Sequence, residues 1–239
     1  MADPADGTTG PLAGHSNLAL RIVSSAVLAP IAVLIAYLGG LPFALFWTVA
    51  ASIVLWEWVR LVRSASLPAN TFPAWLAAGV VYAAVLLFPP IILRHDPEFG
   101  FVAILFLFAI VWGTDSVAYF AGRAIGGPKL WPAVSPKKTW SGAIGGAIGG
   151  VAAGLIVVTL AGLVVAPMLV LVALGLSVVS QAGDLLESSI KRRLNAKDAS
   201  QLLPGHGGVM DRLDGFLTAV AAAVVVGLLR GGLEGPAAG

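Results

Sequence analysis

Ten of the chain's charged side chains fall in the short stretch from Gln181 to Asp214: Asp184, Glu187, Lys191, Arg192, Arg193, Lys197, Asp198, Asp211, Arg212 and Asp214. All 239 residues together supply only 14 Lys and Arg and 12 Asp and Glu, so charge is concentrated here. Carboxylates at this density offer hard oxygen ligands of the kind that suit Mg2+, which is usually held by one or two carboxylates plus phosphate oxygens. The interleaved Lys191, Arg192, Lys197 and Arg212 offer the positive charge that a phosphate chain requires. At helical spacing Asp184, Glu187, Ser188 and Lys191 lie along one face. Asp211 and Asp214, three apart, share another. Between the two faces runs Leu203-Pro204-Gly205-His206-Gly207-Gly208, whose glycines allow successive N–H groups to point at an anion.

Two other stretches carry chemistry. Ser135-Pro136-Lys137-Lys138-Thr139-Trp140 sets two lysines beside hydroxyls, a second phosphate-gripping element, while Trp140 reads as an anchor at headgroup level. Trp112-Gly113-Thr114-Asp115-Ser116 places Asp115 about 10 Å along a helix from its polar end. A carboxylate at that depth requires a lysine, an arginine or a metal as partner. Glu57, between Trp56 and Trp58, reads as an interfacial charge assisted by Arg60 one turn on.

The elements that must position these residues are membrane spans. The chain is 58% hydrophobic and 11% charged, with a mean hydropathy of +0.93; soluble domains carry about 25% charged residues. So few charges could not clothe a water-facing surface, and membrane lipids are the main solvent. The absence of cysteine excludes disulfides, thiolate catalysis and Cys-ligated metal. Three scattered histidines do not suggest a histidine-rich site. A net charge of +2 says little about partners, and no nucleic acid is expected among them.

A span requires about 20 apolar residues to cross about 30 Å of hydrocarbon. Seven segments qualify: roughly 18–38, 42–61, 73–93, 101–121, 142–164, 166–187 and 214–230. The expected fold is therefore an all-α polytopic transmembrane bundle of about seven spans. Residues 1–17 form a polar tail, 18–99 the amino-terminal spans, 100–230 a catalytic membrane domain, and 231–239 a flexible tail. With the N-terminus cytoplasmic, twelve of the 14 basic residues lie on the cytoplasmic side and only Arg94 and Arg230 on the other, as the positive-inside rule demands. The polar stretches 122–141 and 188–213 then emerge on one side, returned to each other by the hairpin of the fifth and sixth spans. The fifth span opens with Gly142, Gly146, Gly150 and Gly154, a spacing that lets helix backbones approach closely. That surface could pack within the chain or support a homodimer.

At Ser188 to Asp214 the pattern closely resembles the signature of the phosphatidate cytidylyltransferases, also called CDP-diacylglycerol synthases. The residues that carry it are Ser188, Lys191-Arg192, Lys197-Asp198, Pro204, His206-Gly207-Gly208 and Asp211-Arg212-x-Asp214. Gly183-Asp184-Leu185 and Glu187-Ser188 resemble the segment that leads into that signature, and Ser135-Pro136-x-Lys138-Thr139-Trp140 and Trp112-Gly113-x-Asp115-Ser116 resemble two other motifs of that family. Ser141 departs from it, since many members carry an acidic or amide residue there. The resemblance implies transfer of CMP from CTP to phosphatidate, Mg2+ dependence with a second, monovalent cation nearby, and catalytic carboxylates at Asp184 and Asp211. On that reading Asp184, Asp211 and Asp214 hold metal, and Lys191 and Arg212 join Asp184 and Asp211 in catalysis. Ser135, Lys137, Lys138, Thr139, Arg192, Lys197, His206, Gly207, Gly208 and Asp115 meet substrate. The expected location is a bacterial-type inner membrane with the site facing the cytoplasm. A membrane CTP-dependent kinase of a lipid alcohol is the alternative enzyme, and a small transporter the alternative of another class.

Overall fold

A computed structural model describes residues 27–202 and 207–229. Its helices are α1 (Val27–Leu38), α2 (Gly40–Ser64), α3 (Phe72–His95), α4 (Gly100–Ile125), α5 (Trp140–Leu160), α6 (Pro167–Arg193) and α7 (Met210–Leu229). Six of them, α2 to α7, are long and apolar enough to cross a membrane, and the chain is an integral membrane protein. The expected first span survives as α1, with residues 18–26 outside the described residues, as are both expected tails. Inside α3 the helix continues through Pro89 and Pro90.

Helix packing in lipid relies on close contact between backbones, because lipid tails are as apolar as the side chains they replace. The α5 glycines serve that end against α4. A Cβ on Gly142 would come within 2.9 Å of the Ala118 carbonyl oxygen, and one on Gly146 within 2.8 Å of that of Thr114. A Cβ on Gly150 would stand 2.2 Å from Thr114 Oγ1. The stripe therefore packs within the chain. Thr114 and Ser177, both fully buried, share a 2.6 Å hydroxyl hydrogen bond that joins α4 to α6. The interior beneath is aromatic: Trp47 of α2 stacks on Phe216 of α7 at 4.9 Å, and Phe108 of α4 meets the same ring at 5.3 Å.

Two features depart from a bundle joined by plain loops. Within 122–141, β1 (Lys129–Trp131) and β2 (Ser135–Thr139) form an antiparallel hairpin. Its register shifts between Lys129 and Trp131, opposite the Ser135–Thr139 strand that contains Pro136, which has no N–H to give the ladder. Helix α6 also runs six residues beyond the expected 187, because Ser188 to Arg193 have good helix formers and no breaker. It ends where Asn195 takes a left-handed conformation (φ 56°) and Ala196 N–H bonds back to the Lys191 carbonyl at 2.8 Å, a C-terminal cap that turns the chain sharply.

Candidate active site

The polar end of the bundle collects residues from α2, the β-hairpin, α6 and the start of α7. Gly183 makes this possible: a Cβ there would stand 2.1 Å from Thr218 Oγ1 and 2.9 Å from the Asp214 carbonyl oxygen. Helices α6 and α7 can thus approach closely beside the residues that carry charge. Oxygens of Asp184, Glu187 and Asp214 all lie within 4.8 Å of one another. Glu187 is 1% exposed, and neither of its carboxylate oxygens has an aligned hydrogen-bond donor. The Lys191 ammonium stands 3.0 Å from Oε2 as an ion pair. Lys191 is shared with Asp211 and Lys138 serves Asp184, so these two ammoniums face four carboxylates, and burial makes the remaining negative charge unfavourable. The donor set fits a hard divalent ion.

The expected metal trio differs from this cluster by one member. Asp184 and Asp214 are in it, but the third carboxylate is Glu187. Asp211 is instead enclosed by protein donors: it pairs with the Lys191 ammonium and accepts from Ala199 N–H at 3.0 Å and Gly208 N–H at 2.7 Å. Lys191 is only 8% exposed and bridges Glu187 to Asp211. It ties α6 to α7 and is not displayed for an incoming phosphate. The Gly207 and Gly208 backbone does meet an anion, and that anion is the protein's own: a Cβ on Gly207 would stand 2.9 Å from Asp211 Oδ2. His206 lies outside the described residues.

From the hairpin, Lys138 reaches across to pair with Asp184, which also receives Ser188 Oγ at 3.4 Å. Residues 46 positions apart are thereby joined, and the two polar stretches share one site. Asp115 of α4 is close enough to Asp184, Lys138 and Arg212 to feel their charges, so the intramembrane carboxylate has cationic neighbours. Thr139 is buried and caps α5, its Oγ1 accepting from Gly142 N–H at 3.1 Å; this is the standard use of a threonine at a helix start. Ser141 donates to the Gly126 carbonyl, which closes the turn between α4 and the hairpin. Ser135 is half-buried, and Lys137, Arg192, Lys197 and Arg212 are exposed.

A family model described as the cytidylyltransferase family matches residues 68–229, which takes in the hairpin, α6 and α7. The chain belongs to the cytidylyltransferase family. A phosphatidate cytidylyltransferase of Brucella abortus biovar 1 (strain 9-941) is 42% identical over 258 residues, covering 90% of this chain and 94% of the relative. One from Rickettsia bellii (strain RML369-C) is 35% identical over 214 residues, covering 84% and 87%. One from Bacillus subtilis (strain 168) is 37% identical over 174 residues, covering 69% and 63%. The family match begins at residue 68, so it omits α2.

That omission matters, because α2 supplies the site residue that local sequence reading misplaces. Glu57 is 0% exposed, enclosed by protein at the polar end of the bundle. Its carboxylate accepts from Ser200 Oγ, from Val209 N–H at 2.9 Å and from Met210 N–H at 2.7 Å. Arg60, its expected helper, lies instead over the Trp56 ring at 5.6 Å. No local signal marks Glu57, whose partners are 143 to 153 residues away. Glu187 was legible as a member of the α6 face but not as the third carboxylate.

Proposed function

We infer that the chain transfers a cytidylyl group from CTP to phosphatidate, giving CDP-diacylglycerol and pyrophosphate. The observation that carries this reading is the Lys138–Asp184 pairing, which brings two family motifs from separate loops to one acidic cluster. The attacking group is a phosphate monoester, largely dianionic at neutral pH because its second pKa is about 6, so it requires little help from a general base. One of its oxygens forms a bond to the α-phosphorus of CTP. The bond from that phosphorus to the bridging oxygen breaks, and its electrons leave on pyrophosphate. The barrier is mainly the meeting of two anions, and positioning with charge neutralisation lowers it.

Asp184, Glu187 and Asp214 would hold Mg2+, with Asp211 next to them. Bound there, the ion would screen the phosphates and the charge that develops on the leaving group. Lys138 and the exposed Lys137, Arg192, Lys197 and Arg212 bind and orient phosphate groups. Lys191 keeps Glu187 and Asp211 from repelling each other. Asp115 holds the cations beside it in place from within the bundle. A monovalent cation near the same carboxylates and a cytoplasmic-facing site in a bacterial-type inner membrane complete the reading. Twelve of the 14 basic residues on one side support that orientation. A site at the membrane surface lets the lipid enter sideways while CTP arrives from water.

The test is purified protein with phosphatidate, Mg2+ and CTP labelled at either the α- or the γ-phosphate. The α-label should enter the lipid and the γ-label should leave in pyrophosphate. With a lipid alcohol in place of phosphatidate, the γ-label on lipid with release of CDP would make the chain a kinase, and no lipid product from phosphatidate would end the cytidylyltransferase reading.

A further inference from the structure

Residues 199–200 and 208–210 are held together by two carboxylates. Asp211 bridges Ala199 N–H to Gly208 N–H. One step further out, Glu57 bridges Ser200 Oγ to Val209 and Met210 N–H. The first clamp lies within the charged stretch itself. The second comes from α2, a helix outside the part of the chain that the family model matches. Helix α7 has no Ser, Thr, Asp or Asn at the position before Met210 to satisfy its leading N–H groups. Glu57 takes that role from another helix, where a carboxylate also meets the positive end of the helix dipole. Close packing makes the arrangement specific, since a Cβ on Gly208 would stand 2.6 Å from Glu57 Oε1.

Asp214 sits one turn beyond the N–H groups that Glu57 holds, so the place of α7's first turn sets the distance from Asp214 to Asp184 and Glu187. We propose that Glu57 is a positioning residue for the reaction: it docks the start of α7 on α2 and thereby fixes the geometry of the acidic cluster and its affinity for a divalent cation. This rests on the cytidylyltransferase reading for its kinetic consequence, though not for its structural one. Glu57 does not touch the reacting atoms. Its contribution passes through the backbone of residues 209 and 210.

The experiment compares wild type with Glu57→Gln and Ser200→Ala, full length and in detergent. Gln can keep the oxygen that serves Ser200 and Val209 but presents an amide N–H to Met210 N–H, which loses its acceptor. Hydrogen–deuterium exchange without metal or nucleotide should be faster in Glu57→Gln at residues 209–214 and unchanged in α5. The Mg2+ concentration for half-maximal turnover should rise about tenfold, the scale of one charge-assisted hydrogen bond, with the KM for phosphatidate little changed. Ser200→Ala, which removes one donor to Glu57 and leaves the contacts from Val209 and Met210 N–H, should fold normally and shift the Mg2+ midpoint by no more than about threefold. Wild-type exchange at 209–214 in Glu57→Gln would overturn the proposal. So would a lower melting temperature with an unchanged Mg2+ midpoint, which would leave Glu57 only a structural role. If wild type made no lipid product from CTP, the functional reading would fail, and the exchange data would still decide the docking role of Glu57.

Discussion

Two lysines at the polar end illustrate how burial separates roles that sequence assigns alike. Lys191 lies between Glu187 and Asp211 with its side chain 10% exposed, and removing it would leave two carboxylates facing each other away from water. Lys191→Met should therefore cost about 3–5 kcal/mol of stability, the usual loss when one partner of a buried ion pair is deleted. Thermal unfolding in detergent would register it. Lys138 and Asp184 are near 30% exposed in their pair, where screening keeps the stabilising effect small. Lys138→Met should leave thermal stability nearly unchanged while raising the KM for CTP or phosphatidate; unaltered kinetics for both would remove Lys138 from phosphate binding. Asp184→Asn should lower turnover at least about a hundredfold through weaker transition-state stabilisation, and saturating Mg2+ should not restore it. The types and spacing of Asp184, Asp214, Lys138 and Asp115 were enough to mark them in the sequence. The enclosure of Asp211 by Lys191, Ala199 and Gly208 was not legible, because two of those donors are backbone groups whose direction depends on the loop.

At the scale of elements, glycine decides how near the helices come. Gly150→Leu should disrupt the α4–α5 contact, since Thr114 Oγ1 and the Ile110 carbonyl oxygen already stand 2.2 and 3.0 Å from where its Cβ would be. Overpacking of this kind typically costs about 1–3 kcal/mol or more, and a lower melting temperature would reveal it. Gly175, which has open space around it, is the control: Gly175→Ala should leave the melting temperature unchanged or slightly raised. The six long helices were legible from hydropathy alone, because about 20 apolar residues is a requirement of bilayer thickness. Less legible were the β-hairpin and the extra turns of α6. A three-residue strand such as Lys129–Trp131 leaves little periodicity, and a helix that outlasts the hydrocarbon is not bounded by apolar composition.

At the scale of the whole molecule, the fold takes polar segments far apart in sequence and returns them to one end of a lipid-solvated bundle. Hairpin α5–α6 joins Lys138 to Asp184, and α2 reaches over to the start of α7 through Glu57. The first of these follows from counting spans, since two crossings return the chain to the side it left. The second does not, because which helices become neighbours depends on packing among α2, α4 and α7 around Trp47, Phe108 and Phe216. The chain has no cysteine, so introduced thiols are unambiguous. The most direct measurement is therefore cross-linking of the Lys138→Cys, Asp184→Cys double variant with a short thiol-specific reagent in sealed vesicles, followed by mass spectrometry. A shared pocket predicts a linked pair of peptides containing positions 138 and 184, with both thiols labelled from the same side of the membrane. Singly modified peptides alone, with the two thiols reached from opposite sides, would contradict it.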